Sequence, residues 1–347
     1  MRVLLTGAAG FIGAKVDAQL VGRGDDVVRV DAMIPQAHRV ETAAGSDVHL
    51  LDVRDAEQWA DVLDGVDVVC HQAAMVGSGV TPADLPLYAG HNDLGTAALL
   101  AAMHARGVNA FVLASSMVVY GEGRYACAEH GRQTPGARTH AALETGDFEN
   151  HCARCSAALD WQLVPEDDRL DPRSSYAASK VAQEHYTSTW ARHTRARAIG
   201  LRYHNVYGPG MPRDTPYSGV AAIFRSSLES GRAPQVFEDG GQMRDFVHVE
   251  DVARANVMAI DAVLTDEAEP WAAYNICSGR PVSILRVAEL LAEASGGPGP
   301  EVTGDYRPGD VRHVVASPER ATRELRFIAE MAPEQGIPGF AKAPLRG

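Results

Sequence analysis

A chain of 347 residues with 46% hydrophobic and 22% charged residues can bury a sizeable core, as one large α/β domain with an insertion or as two modest domains. Its formal net charge of −13 argues against nucleic acid or an anionic membrane as partner, since both reward Lys and Arg, whereas a small anionic ligand needs only a local cluster of cations. No apolar run approaches a membrane span, the first six residues lead straight into a glycine motif without a cleavable leader, and five cysteines are too few for a disulfide framework, so a cytoplasmic protein is expected.

Residues 3–5 form a short apolar run that feeds Thr6-Gly7-Ala8-Ala9-Gly10-Phe11-Ile12-Gly13 and then a helical stretch to about residue 24. Further strands are predicted at 27–31, 48–51, 66–70, 111–114 and 198–201, with a helix from 183 leading into the last. Apolar strands alternating with helical segments predict a doubly wound parallel sheet covered on both faces. After Gly208-Pro209-Gly210 the pattern becomes irregular, with helices expected near 220–231, 249–262 and 283–295. We therefore read 1–207 as a nucleotide-binding domain of Rossmann type, and 208–347 as mostly a smaller substrate-binding lobe interleaved with the sheet. One segment breaks the rhythm: 122–173 is rich in Gly, Pro, His, Cys and charge, and a structureless loop of that length is unusual inside a compact domain.

Gly7, Gly10 and Gly13 sit between a strand and a helix, where glycine lets backbone N–H groups and a helix N-terminus approach a pyrophosphate. A glycine turn that merely caps a helix would show the same spacing, but more features follow in order. Asp31 ends the second strand, where a carboxylate accepts hydrogen bonds from the adenosine ribose and repels a 2′-phosphate, favouring NAD over NADP. Asp52 and Val53 stand where the adenine is commonly met, and Ala73 and Ala74 leave room for the cofactor to pass. Phe11 and Ile12 of the glycine motif complete this set.

Tyr176-Ala177-Ala178-Ser179-Lys180 puts Tyr and Lys on one helical face. A tyrosine near pKa ~10 is a poor base at neutral pH, and a nearby ammonium together with the positive nicotinamide ring would lower that value. Ser116, after the strand ending at 114–115, can orient a substrate alcohol.

With these residues in place the chain resembles the extended short-chain dehydrogenase/reductases of the sugar-nucleotide epimerase/dehydratase group over nearly its whole length. The matching segments are 6–13, 92–96, 115–121, 176–180, 201–210, 244–252, 274–279 and 307–310. The resemblance implies that Ser116, Tyr176 and Lys180 are catalytic and that Asn92 joins the NAD site. It implies that Asn205, Arg244 and Arg307 hold a substrate diphosphate, and that Asp310 reaches the nucleoside ribose. Planar guanidinium forks suit phosphate oxygens, though Arg307 could form a surface ion pair and Asn205 could tie loops together. A homodimer is expected on the same ground, with the Tyr176 helix at its interface. Related dehydratases and decarboxylases carry acidic residues just after the catalytic hydroxyl; here Met117 and Val118 cannot transfer protons, which favours an epimerase over a dehydratase. Segments 31–38 and 214–219, with the cysteine-bearing insert, are similar to the dTDP-L-rhamnose 4-epimerase-like proteins. His204 and 211–213 depart from the usual wording, so UDP-glucose or UDP-uronate 4-epimerisation and nucleotide-sugar 4-ketoreduction stay open.

Within the insert, Cys127 and His130 form C-x2-H, and Cys152 and Cys155 form C-x2-C 21 residues later. Two such knuckles supply the ligands of a closed structural Zn²⁺ site, which would order a segment lacking its own core. A metal-free loop with free thiols is the alternative, and His140 and His151 are further donors nearby. Cys70 and Cys277 read as core residues, His71 and His248 as structural histidines, and His185 as surface.

Overall fold

The computed structural model describes residues 1–35, 47–77, 82–213, 219–265 and 269–346; positions 36–38 and 214–218, which carry part of the subgroup resemblance, lie outside the described residues. Its spine is a seven-stranded sheet in the order Trp271–Ile276, Arg197–Tyr203, Ala110–Ser116, Val68–His71, Arg2–Thr6, Asp26–Asp31, Val48–Leu50. Every neighbouring pair is parallel. Alternate residues of the first strand serve opposite faces: Val3 and Leu5 pack with Val16, Leu20, Val252 and Ile260, and Leu4 packs with Val30, Leu99 and Met103. Such two-sided burial requires strands that are apolar throughout, which is how they read in the sequence.

Chain order reverses between Arg2–Thr6 and Val68–His71, so a crevice opens beyond the carboxyl ends of these two strands, the usual place for a ligand in such a sheet. A buried polar chain braces that point. His71 Nδ1 and the Thr6 hydroxyl lie 2.7 Å apart, His71 Nε2 and the Thr96 hydroxyl 3.1 Å apart, and Ala73 N–H donates to Thr6 Oγ1 at 3.1 Å.

The second lobe is built on helices Val220–Glu229, Ile284–Ser295 and Pro333–Phe340 around Phe224, Phe246, Leu291 and Phe340. The chain returns from this lobe to the main sheet: helix Val249–Val263 covers one face, capped by His248, and Trp271–Ile276 forms an outer strand absent from the sequence-based series. The insert is ordered. Arg124–Cys127, Gly131–Gln133 and Asp160–Gln162 form a three-stranded antiparallel sheet, with a short helix His140–Glu144. Cys70 and Cys277 are buried core residues and His185 is exposed. Among the described residues no helix is long and apolar enough to cross a membrane.

Candidate active site

The glycine motif folds as its spacing requires. Gly7 has φ +65°, and a Cβ there would lie 2.7 Å from Ala73 N; a Cβ on Gly13 would lie 2.0 Å from Gly7 O. Only glycine lets the loop turn this tightly and the helix Phe11–Arg23 start against it. Gly10 caps that helix without a side-chain hydrogen bond, so first-turn N–H groups are left facing the crevice. Two adjoining cavities of about 100 and 260 Å³ share Gly7, Gly10, Gln72 and Ala74. Asp31, Asp52, Val53 and Ala73 line the first, and Phe11, Ile12, Gly13, Tyr176 and Lys180 the second.

Asp31 is buried, accepting from Ala9 N–H at 3.0 Å and Met33 N–H at 2.9 Å, which fixes its carboxylate at the cavity wall. Asp52 starts a short turn and pairs with Arg54 at 2.7 Å. Asn92 is elsewhere: it is fully buried, bonding both backbone groups of Met75 and the Ser179 hydroxyl, and it braces the cavity from behind without lining it. This set fits a dinucleotide: a cradle any Cβ would fill, a helix N-terminus, and a carboxylate at the far end of an elongated crevice.

Tyr176 and Lys180 lie in the first turns of helix Ser175–Thr194, capped by the Ser174 hydroxyl. Lys180 Nζ donates to Ala114 O at 2.7 Å and lies 5.8 Å from the Tyr176 ring centre. Burial pushes the Tyr176 phenol up to about 12, against a hydrogen bond to Ser116 that draws it down. Burial also takes the Lys180 ammonium down to about 7. The lowered tyrosine expected from the sequence is therefore not seen in the protein alone, where burial outweighs the hydrogen bond to Ser116. After Ser116, Met117 and Val118 lie in a short 3₁₀ turn, Met117–Tyr120, and the Met117 sulfur is 3.6 Å from Asn205 Nδ2.

A third cavity, about 380 Å³, is lined by Asn205, Arg244, Arg307 and Asp310 with Phe224, Phe237 and Glu238. It adjoins the cofactor crevice through one strand turn: Tyr203 and Val206 line the crevice, and Asn205 lines this cleft. Asn205 also ties loops, donating to Asp245 O at 2.9 Å. The Arg244 guanidinium donates to the carbonyls of Met243, Arg312 and Val311 at 2.9, 2.7 and 2.8 Å and, among the described residues, has no carboxylate within ion-pair distance. A partly buried cation held by neutral groups favours an anionic ligand. Arg307 stacks on Phe237, its guanidinium carbon 5.2 Å from the ring centre. Burial raises Asp310 above the usual carboxylate range.

The four insert ligands converge. Donor atoms of Cys127, His130, Cys152 and Cys155 all lie within 4.8 Å of one another. His130 Nδ1 is 3.5 Å from the sulfurs of both Cys127 and Cys152, and the sulfurs of Cys127 and Cys155 are 3.6 Å apart. Backbone N–H groups of Arg154 and Cys155 pull the Cys152 thiol down to about 6. His140 and His151 stay outside the cluster; His151 pairs with Asp147. Sequence reading missed the buried network beneath the insert. Arg312, 1% exposed, pairs with Glu149, Glu238 and Asp239, and its N–H donates to Glu122 at 3.0 Å. No local pattern marks it, because its partners are 73 to 190 residues away.

The NAD dependent epimerase/dehydratase family matches residues 3–145 and 156–277. A dTDP-L-rhamnose 4-epimerase of Burkholderia thailandensis is 34% identical over 97% of this chain and 93% of its own length. A UDP-glucose 4-epimerase of Corynebacterium glutamicum is 27% identical over 95% and 91%. Among solved structures, the Thermus thermophilus UDP-glucose 4-epimerase in complex with NAD is 29% identical, with a TM-score of 0.75 over 98% of each chain. The Thermotoga maritima UDP-glucose 4-epimerase with UDP-glucose is 25% identical, with a TM-score of 0.78 over 99% of this chain and 98% of its own.

Proposed function

This chain belongs to the NAD dependent epimerase/dehydratase family, and we propose that within it the protein is an NAD-dependent nucleotide-sugar 4-epimerase acting on a dTDP-6-deoxyhexose such as dTDP-L-rhamnose. The observation that carries this reading is that Tyr176 and Lys180 line the dinucleotide crevice, with Ser116 hydrogen-bonded to Tyr176 and no proton-transfer group at 117 or 118, beside a separate arginine-lined cleft.

NAD, when bound, supplies a reversible hydride acceptor and a positive ring beside Tyr176. Ser116 orients the C4 hydroxyl, and Tyr176 takes its proton and later returns it. Lys180, held on Ala114 O, adds positive charge on the phenolate's side of the cavity. Arg244 and Arg307 anchor the diphosphate while the 4-keto sugar turns its other face to the crevice. Met117 and Val118 offer no acid for elimination, so the sugar regains its hydrogen with C4 inverted. The 34% identity to the rhamnose enzyme supports the dTDP-deoxysugar; UDP-glucose and UDP-glucuronate are the alternative substrates. Incubating dTDP-L-rhamnose with purified protein and no reductant tests this by proton NMR. Signals of the 4-epimer growing to an equilibrium mixture are expected. An inert sugar would send the reading to the UDP-sugars, and dependence on added NAD(P)H would make the protein a ketoreductase.

The insert is read as a structural zinc site. Zn–S of about 2.3 Å and Zn–N of about 2.05 Å at tetrahedral angles give S···S near ~3.8 Å and S···N near ~3.5 Å. Three of the six donor pairs, at 3.6, 3.5 and 3.5 Å, match within 0.2 Å, and all six lie within 4.8 Å. Four protein ligands close the site, so the metal has no place for substrate. A homodimer is proposed through the exposed face of helices Gly95–Arg106 and Ser175–Thr194, where Leu100, Ala101, Tyr186 and Trp190 line an open groove.

A further inference from the structure

Behind the helix that carries Tyr176 lies a buried ion pair to which the proposed chemistry gives no task. Glu184, one turn after Lys180 and 3% exposed, accepts from the Arg202 guanidinium at both carboxylate oxygens, at 2.9 and 2.7 Å. It also accepts from the Ser115 hydroxyl at 2.5 Å. Ser115 and Arg202 face each other in register on neighbouring strands. Arg202 donates further to Tyr120 Oη and Glu166 O, both at 2.8 Å. An ion pair sealed from water adds little stability over a well-packed apolar pair, so its presence calls for another reason.

The reason lies one residue along the strand. Ser115 follows Ala114, whose carbonyl receives Lys180 Nζ at 2.7 Å. Lys180 and Glu184, four residues apart on one helical face, therefore grip consecutive residues of the same strand. Burial takes the Lys180 ammonium down to about 7, and attraction to Glu184 opposes that fall. Among the described residues no other carboxylate acts on it. Burial, then Lys180 itself, brings His71 down to about 3, so this histidine is neutral. Burial raises the phenols of Tyr176 and Tyr203. From 85–106, Tyr88, Asn92 and Thr96 meet the helix, and none is a carboxylate.

We propose that Glu184 is a positioning residue: fixed by Arg202 and Ser115, its carboxylate keeps Lys180 charged and seated on the Ala114 carbonyl while Tyr176 takes the substrate proton. This role rests on the Tyr176–Lys180 chemistry proposed above, but the state of Lys180 is readable without turnover.

The chain has three lysines, 15, 180 and 342, so lysine labelled with ¹³C at Cε gives three resonances. The Lys180 resonance is the one missing from Lys180→Met. Its titration is followed by NMR in cofactor-free protein, and kcat and KM are measured across pH on a sugar nucleotide that the parent turns over. In Glu184→Gln, Lys180 is expected to lose its proton about one pH unit or more below the parent, because an opposite charge at this range has been removed. The alkaline limb of kcat is expected to move down with it, with KM within twofold. Glu184→Gln leaves Arg202 without its counter-charge, so Glu184→Gln/Arg202→Met, which has no unpaired ion, is measured beside it. There a downward shift of roughly half a unit or more is expected. A Lys180 titration that stays put or moves upward overturns the proposal. So does a shifted lysine with an unmoved kcat limb, which would confine Glu184 to packing. A parent inert toward every sugar would sink the epimerase reading instead, and the lysine titration alone would then decide the role of Glu184.

Discussion

The zinc reading makes a demand on the distant substrate cleft, and Cys152→Ala tests it. The knuckles share only a small buried cluster, Tyr125, Cys127, Cys152 and Leu159. Its two large apolar side chains contribute about 3–6 kcal/mol together, whereas structural zinc in peptides contributes roughly 10–16 kcal/mol, so the metal is the larger stabiliser. Tyr125 Oη accepts from His313 N–H at 3.0 Å, and Glu122 accepts from Arg312 N–H at 3.0 Å. The same stretch offers the Val311 and Arg312 carbonyls that hold Arg244 at 2.8 and 2.7 Å. A loosened insert therefore misaligns Arg244 against the substrate diphosphate. One charge-assisted hydrogen bond is worth about 1.5–3 kcal/mol, and tenfold in binding is 1.4 kcal/mol, so KM is expected to rise roughly 10- to 100-fold. Zinc by plasma mass spectrometry, KM for the sugar nucleotide and NAD content are measured on one preparation. About one zinc in the parent, none in Cys152→Ala, a raised KM and unchanged NAD are expected. Loss of zinc with an unaltered KM would refute the coupling, and a zinc-free parent would refute the site.

Three further perturbations read other parts of the account. Gly13→Ala places a Cβ 2.0 Å from Gly7 O, so the loop must shift and NAD content should drop severely, as absorbance of the purified protein would show; full NAD occupancy would contradict the cradle. Lys180 is depressed from 10.5 to about 7, so unfolding takes up a proton between those limits, and stability of the cofactor-free protein should climb with pH there by up to roughly 1.4 kcal/mol per unit. Lys180→Met should remove that slope in denaturant melts, and an identical pH profile would show that the ammonium is not desolvated. Tyr176→Phe should abolish turnover while NAD stays bound; retained turnover would remove the tyrosine from the chemistry.

How much was legible follows from the range of the interactions involved. The strand–glycine–helix start, Asp31 and the Tyr176–Lys180 face are local, and each depends on neighbours within a few turns, so spacing alone located them. Trp271–Ile276 escaped because a six-residue outer strand following helices carries no period of its own until it pairs with Arg197–Tyr203. The three strands of the insert were invisible for a related reason: two span three residues and one spans four, and only distant pairing and converging thiols define them. Asn92 sits in a motif whose wording suggests the cofactor, yet its amide bridges Met75 and Ser179, a role no spacing reveals. Tyr176 shows the limit for electrostatics: the sequence places Lys180 beside it, but burial of both groups decides the sign of the shift.

In the proposed reaction hydrogen leaves C4 of the sugar and returns to the same carbon within one site. The most direct measurement is turnover of dTDP-L-rhamnose deuterated at C4, with mass spectrometry and NMR of the 4-epimer formed in ordinary water. Deuterium is expected to stay at C4 of the product, with none released to solvent. Product carrying solvent hydrogen at C4, or label lost in step with turnover, would contradict it.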